Sequence, residues 1–222
     1  MIISVPSYVI PGGYYENIKF ISDYEAVKAI ELLFFFFDSE TRELFKREKE
    51  LIKAYADRFS FTVHMPEHLL LEHVEIVELT RDLATRYILH LPTSNTAQFM
   101  GELKRWRARY GDVFLIENLI HLPNENHLKQ DPSLPVCCDT GHLLLSGKDI
   151  NGFLRNYETR IQEIHLHGVI DGKDHRVFNP KESWFIELIP FLQKFQGVVN
   201  LEVFSIKEVE VILDVLSSCN LI

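Results

Sequence analysis

The feature that most constrains this chain is a recurrence. Short apolar, β-rich runs appear eight times, and each is followed by a helix-like segment. The runs are IISV (2–5), VKAIELLF (27–34), FTVH (61–64), YILH (87–90), VFLIE (113–117), VCCD (136–139), IHLH (164–167) and VVNLE (198–202). Between them, stretches 41–59, 68–84, 96–111, 150–157, 182–195 and 206–216 carry apolar residues three and four positions apart. Gly111 and Gly197 stand where helices are expected to stop. Strands alternating with helices pair in parallel, and eight such units close most naturally into a (β/α)8 TIM barrel; a doubly wound open sheet is the alternative. No linker or low-complexity segment divides residues 1–222, so a single small α/β TIM-barrel domain with mostly short loops is predicted.

Most runs end on a polar residue: His64, His90, Glu117, Asp139, His165 with His167, and Glu202. They recur about one strand-plus-helix unit apart, which in a barrel is the C-terminal rim where catalytic groups collect. Alternation along a strand puts His165 and His167 on one face, and likewise Val113, Leu115 and Glu117, or Val198, Asn200 and Glu202. A single strand-end histidine or glutamate is more often a satisfied structural group than a ligand. Six strands ending this way imply something more, because converging buried carboxylates repel one another unless a cation neutralises them. A divalent metal site is therefore expected. His142 follows Asp139 in DTGH, where Gly141 allows a tight turn toward the same metal. His175, beside Asp174 in GKDHR, sits on a loop and is read equally well as a solvated loop residue. His68, His73, His121 and His127 have no strand-end position and are expected at the surface.

Charge and cysteine usage exclude several classes. With 23 Lys plus Arg against 32 Asp plus Glu the formal charge is −9, with no long basic run, so nucleic acid is a poor default partner. An anionic substrate then needs a cation in the site to reverse the local field. Cys137 and Cys138 are adjacent and Cys219 is alone, so no disulfide framework emerges. The start MIISVPSYVIPGG lacks the basic and apolar regions of an export signal, and AIELLFFFF is too short to cross a bilayer. A cytoplasmic protein with no membrane partner is expected. The oligomeric state is left open.

The series HMP, HLP, IEN, DTGH, HLHG and LE resembles the xylose-isomerase-like and endonuclease-IV-like barrel superfamily. That resemblance implies metal ligands Glu117, Asp139, His165 and Glu202, with His64, His90 and His142 where the endonuclease branch places further ligands. His175 departs from that branch, since Asp174 and His175 are adjacent where one residue usually separates them. A closer resemblance spans nearly the whole chain. The stretches SVPSYVIPGGYYENIKFIS, AIELLFFF, FTVHMP, VCCDTGHLLLSG, EIHLHGVIDGKDHR and GVVNLEVFS are similar to the CbiR-like, cobamide-remodelling phosphodiesterase family. This implies an enzyme that opens the nucleotide loop of adenosylcobamides, a corrinoid substrate, by hydrolysing its phosphodiester.

On that reading one to three divalent ions, zinc or manganese, activate water and stabilise the leaving oxygen. His64, His90 and His142 bind a second cation or the phosphate, and His167 and His175 protonate the leaving group. Short loops cannot enclose a corrin, so an open aromatic shelf is expected. Tyr8, Tyr14 and Tyr15 after the first strand would supply it with Phe34 to Phe37 after the second, Phe36 above all, and Asp174 would contact substrate from its loop. The same residues allow rival readings: a sugar isomerase or epimerase using Glu117 and Glu202 on one metal, an abasic-site endonuclease, or a binding protein that has lost its chemistry.

Overall fold

A computed structural model describes residues 1–92, 94–120, 127–129 and 131–222. Its strands are β1 (Ile2–Pro6), β2 (Ala29–Leu33), β3 (Ser60–His64), β4 (Ala84–Leu89), β5 (Phe114–Glu117), β6 (Val136–Asp139), β7 (Ile161–His165), β8 (Gly168–Ile170), β9 (Lys173–Arg176) and β10 (Val198–Asn200). Eight of them, all parallel, close into a barrel in the order β1-β10-β7-β6-β5-β4-β3-β2; β8 and β9 form a separate antiparallel hairpin. The helices are α1 (Tyr14–Ile21), α2 (Ser39–Lys53), α3 (Val74–Thr80), α4 (Thr96–Tyr110), α5 (Thr140–Leu145), α6 (Ile150–Tyr157), α7 (Ser183–Leu192) and α8 (Ile206–Ser218). The TIM-barrel expectation holds, and no described helix is long and apolar enough to cross a membrane.

Alternation divides each strand between two environments. Outward residues such as Ile30, Leu32, Val63, Tyr87, Leu89, Phe114, Ile116 and Cys138 join one large core beneath the helices. The interior is split. On β4, β5 and β6 the inward Ile88, Leu115 and Cys137 form their own small apolar cluster. On the other strands the buried inward residues include a polar set: Ser4, Glu31, Thr62, Glu163 and Asn200. A polar half-lumen lies directly beneath the rim, and nothing in the alternating pattern had singled it out.

The segment after β1 is helical, as the strand-plus-helix recurrence predicts, with Tyr14, Ile18 and Ile21 buried at helical spacing. Three local expectations need correction. The stretch 68–84 yields only a 3₁₀ turn and the short α3, because residues from 84 onward already belong to β4. Gly111 does end a helix, at φ +88°, but α7 stops at Leu192. Gly197 serves close approach instead, since a Cβ there would lie 2.3 Å from the Gln162 carbonyl. His73, expected at the surface, is buried against Phe37, and burial lowers its pKa; His68 is exposed, His127 half-buried, and His121 lies outside the described residues.

Candidate metal centre

The rim residues converge. His64, Glu117, Asp139 and His165 are the last residues of β3, β5, β6 and β7, and His90, His167 and Glu202 follow their strands by one or two positions. Glu117 is the hub. Its Oε2 lies 3.2 Å from His64 Nε2 and 3.0 Å from His90 Nε2, and its Oε1 lies 3.2 Å from His142 Nδ1. On the far side, His165 Nδ1 lies 3.0 Å from Glu202 Oε2, 3.7 Å from Glu117 Oε2 and 3.9 Å from Asp139 Oδ2. Two donor groups, His64–Glu117–His165 and Asp139–His165–Glu202, thus share His165, and Glu117 with Asp139 and His142 forms a third.

Backbone geometry holds these side chains. Asp139 caps α5, its Oδ1 accepting the His142 N–H at 2.6 Å, which leaves Oδ2 toward the cluster. Asn118 ties the ends of β5 and β6 together, accepting from Asp139 N at 2.8 Å and donating to Asp139 O at 2.9 Å. The Thr140 hydroxyl bridges the carbonyls of His165 and His167. Gly141 is required by space more than by a turn: a Cβ there would stand 2.0 Å from the His167 ring.

Hydrogen bonds fix several imidazoles. His64 Nδ1 donates to the Met65 carbonyl (2.9 Å) and His142 Nδ1 to that of Asn118 (2.9 Å). With Nδ1–H committed, His64 can hydrogen-bond Glu117 through Nε2 only as an imidazolium. Burial opposes that charge, yet Glu117 and the neighbouring carboxylates push His64 up to about 9; against the same burial, Asp139 and Glu117 push His142 up to about 10. Reciprocally, burial would raise Glu117 and Glu202, but the neighbouring His90 and His165 hold Glu117 well below its usual value, and His165 does the same for Glu202. Metal-free, the centre balances buried carboxylates with protons on imidazoles. A divalent cation fits this donor set by replacing those protons. His165 Nδ1 and Glu202 Oε2 support the fit: both are buried, 3.0 Å apart, and neither has a hydrogen-bond partner among the described residues.

Other predicted residues fall at different depths. His167 is fully buried, does not line the cleft, accepts the His175 N–H at Nδ1 (2.9 Å) and so donates from Nε2 to Asp139 (3.0 Å). That placement points its Nε2 at Asp139 and away from the cleft. His175 stacks on His167 with ring centres 4.5 Å apart, at φ +52°, a strained conformation for a histidine that positions its ring over the centre. Asp174 Oδ2 lies 3.9 Å from both His142 Nε2 and His175 Nε2. Asp174 and His175 sit on the hairpin strand β9, where only a mobile polar loop had been expected.

The cleft above the centre, about 280 Å³, is lined by His64, His90, Glu117, His142, Asp174, His175 and Glu202 on its polar side and by Phe35, Met65, Ile120 and Phe204 on its apolar side. A larger groove of about 460 Å³ lies on the opposite face, between α6 and α7, away from these groups. Of the aromatic residues expected to form a shelf, Tyr8 (49% exposed) and Phe36 (75%) are open to solvent. Tyr14 is buried, its hydroxyl donating to the Leu33 carbonyl, and Tyr15 packs against Tyr55. Phe34 belongs to the core. Phe35 lies within the expected run and Phe204 is the residue that was missed: a chain of ring contacts runs Tyr8–Phe35–Phe204–His175 into the cleft, with centroid separations of 6.3, 5.7 and 4.8 Å.

No family model matches the chain, and no curated protein matches it. Solved structures do. Endonuclease IV from Thermus thermophilus superposes with a TM-score of 0.63 at 14% identity, covering 98% of this chain and 100% of that one. The apo 3-keto-D-glucoside 4-epimerase YcjR from E. coli gives 0.66 at 15%, covering 99% of each. The probable 3-DHS dehydratase AsbF from Bacillus anthracis gives 0.69 at 15%, covering 98% of this chain and 99% of that one. The chain therefore shares the barrel fold of these three proteins, and among its described residues are clusters that could hold a metal ion at the C-terminal rim.

Proposed function

We infer that the protein is a divalent-metal-dependent phosphodiesterase acting on the nucleotide loop of adenosylcobamides. The observation that carries the hydrolytic reading is the crowding of Glu117 by the Nε2 atoms of His64 and His90, next to the separate Asp139–His165–Glu202 group, with the Nε2 of His142 facing Asp174. A single cation is satisfied by Glu117, Asp139, His165 and Glu202. The additional imidazoles leave donors for a second cation, and two cations would suit in-line displacement at phosphorus.

A phosphodiester resists attack because it is anionic and its leaving alkoxide is poor. When bound, zinc or manganese supplies Lewis acidity that neutralises the phosphate charge and lowers the pKa of water to about 7. Glu117, Asp139, His165 and Glu202 would hold the cations, with His64 and His90 completing the shell beside Glu117 and His142 offering its Nε2 on the Asp174 side. His167 fixes Asp139 through Nε2–H. In this reading His175, partly exposed and lining the cleft, hands a proton to the leaving oxygen, with Asp174 beside it. The corrinoid assignment is supported by the sequence resemblance and by the exposed Tyr8, Phe35 and Phe36 beside the cleft, a surface outside which a large flat ring can rest while its phosphate enters.

A second reading is a one-metal epimerase, isomerase or dehydratase, favoured by the likeness to two such folds and by Glu117 and Glu202 as a carboxylate pair. An endonuclease is less well supported, because no Lys or Arg is among the described residues lining the cleft. Incubating zinc- or manganese-loaded protein with adenosylcobalamin and identifying products by mass spectrometry tests the proposal. A free nucleoside or nucleotide with the matching corrinoid fragment supports it. No cleavage of either adenosylcobalamin or bis-nitrophenyl phosphate, with turnover of a ketose, removes it in favour of the isomerase.

A further inference from the structure

His165 has two ring nitrogens, and the structure gives them opposite surroundings. Nδ1 faces the carboxylates of the rim. Nε2 faces down into the barrel and meets Glu31 Oε2 at 3.1 Å. Glu31 is on β2 and His165 on β7, which are separated by β1 and β10 in the barrel order, so this contact crosses the lumen. The other Glu31 oxygen accepts from Asn200 Nδ2 of β10 at 2.8 Å. All three residues are fully buried, and neither Glu31 nor Asn200 lines the cleft.

A carboxylate can only accept, so the 3.1 Å contact places a hydrogen on His165 Nε2. The tautomer is thereby set: the remaining lone pair of a neutral His165 is on Nδ1, aimed where Glu117, Asp139 and Glu202 converge. The Asn200 amide removes the freedom of Glu31 to rotate away. We propose that Glu31, anchored by Asn200, is the positioning carboxylate of the centre, which commits His165 to bind metal through Nδ1 and strengthens that bond. It touches neither substrate nor cation. Buried partners of this kind orient a ligand imidazole and raise its basicity, and removing them weakens metal binding by about 10- to 100-fold.

The inference rests on the metal reading above, and zinc alone is a sufficient probe. Titration against a chromophoric chelator gives the zinc affinity of the unmodified protein, of Glu31→Gln and of Glu31→Gln combined with Asn200→Asp. Gln has one acceptor where Glu31 serves two donors, so the single variant should bind zinc about 10- to 100-fold more weakly. In the double variant the carboxylate introduced on β10 accepts from the new Gln amide, freeing the Gln oxygen for His165, and most of the affinity should return. Long-range ¹H–¹⁵N spectra of the unmodified zinc-loaded protein should show His165 protonated at Nε2 and ligated at Nδ1, a readout that stands even if a variant fails to fold. Equal zinc affinity in the single variant, or a proton on Nδ1, overturns the proposal and leaves the metal centre intact. Failure of the unmodified protein to bind zinc or manganese overturns both.

Discussion

Glu163 offers the sharpest quantitative test of the polar half-lumen. It is mid-strand on β7, fully buried, with Oε1 accepting from the Thr62 hydroxyl at 3.2 Å and Oε2 without a partner among the described residues. Burial first, and the nearby Glu31 carboxylate second, push its pKa from 4.5 up to about 8. Holding that carboxyl neutral at pH 7, when the unfolded chain would ionise it, costs about 3 kcal/mol. The sign follows from the two proton affinities. Below pH 4.5 both states carry the proton and nothing is lost; between 4.5 and 8 only the unfolded chain gives it up, so wild-type stability falls as pH rises; above 8 the difference levels off. Glu163→Gln supplies the same shape with no proton to lose, an oxygen for Thr62 and an amide to donate toward Glu31. With metal chelated, urea unfolding followed by circular dichroism should show the variant about 3 kcal/mol more stable than wild type at pH 7, and nearly equal to it at pH 4.5. A variant less stable at pH 7, or a gap independent of pH, would refute the neutral-carboxyl reasoning.

Zinc binding at pH 7 should release more than one proton per protein, because His64 and His142 are held charged to about 9 and 10 in the metal-free centre; calorimetry in buffers of different ionisation enthalpy measures this. Glu117→Gln and Glu202→Gln should each lose metal and turnover while keeping a wild-type circular dichroism spectrum, since neither change enlarges a core cavity. Gly141→Ala should destabilise by about 1–3 kcal/mol, read as a lower melting temperature, because the new methyl collides with a His167 ring that is buried and bonded at both nitrogens. Tyr8→Ala and Phe36→Ala should raise KM for adenosylcobalamin and leave that for bis-nitrophenyl phosphate unchanged, whereas Tyr14→Ala should chiefly lower stability, its ring being buried against Phe34 and Phe45.

The barrel and the outer ring of the centre were legible because two periodicities coincide there. The period-2 alternation of each strand fixes which residues face inward, and the strand-plus-helix repeat brings their ends to one rim. Glu117, Asp139, His64 and His165 end their strands in the structure, where the sequence places strand-end polar residues. Depth was not legible. His167 shares a face with His165, yet whether a second imidazole enters the cleft or lies under another side chain depends on the β8–β9 hairpin folding back over it, and pairing of such short strands leaves little mark on composition. The four consecutive phenylalanines show the same limit: Phe34 still belongs to the core, and Phe35 opens onto the cleft only because β2 has ended at Leu33.

Glu31 and Glu163 were passed over for a different reason. Each sits inside an apolar run, AIELL and IQEIH, where a lone acid looks like an interruption of a strand pointing at solvent. Both faces of a TIM-barrel strand are buried, so an inward acid has no solvent to meet and must find a partner across the lumen. Glu31 finds His165 and Asn200; Glu163 finds Thr62 and keeps its proton. An acid within a barrel run is thus a signal in its own right, and here it sits beneath His165, the imidazole that the rim pattern singles out.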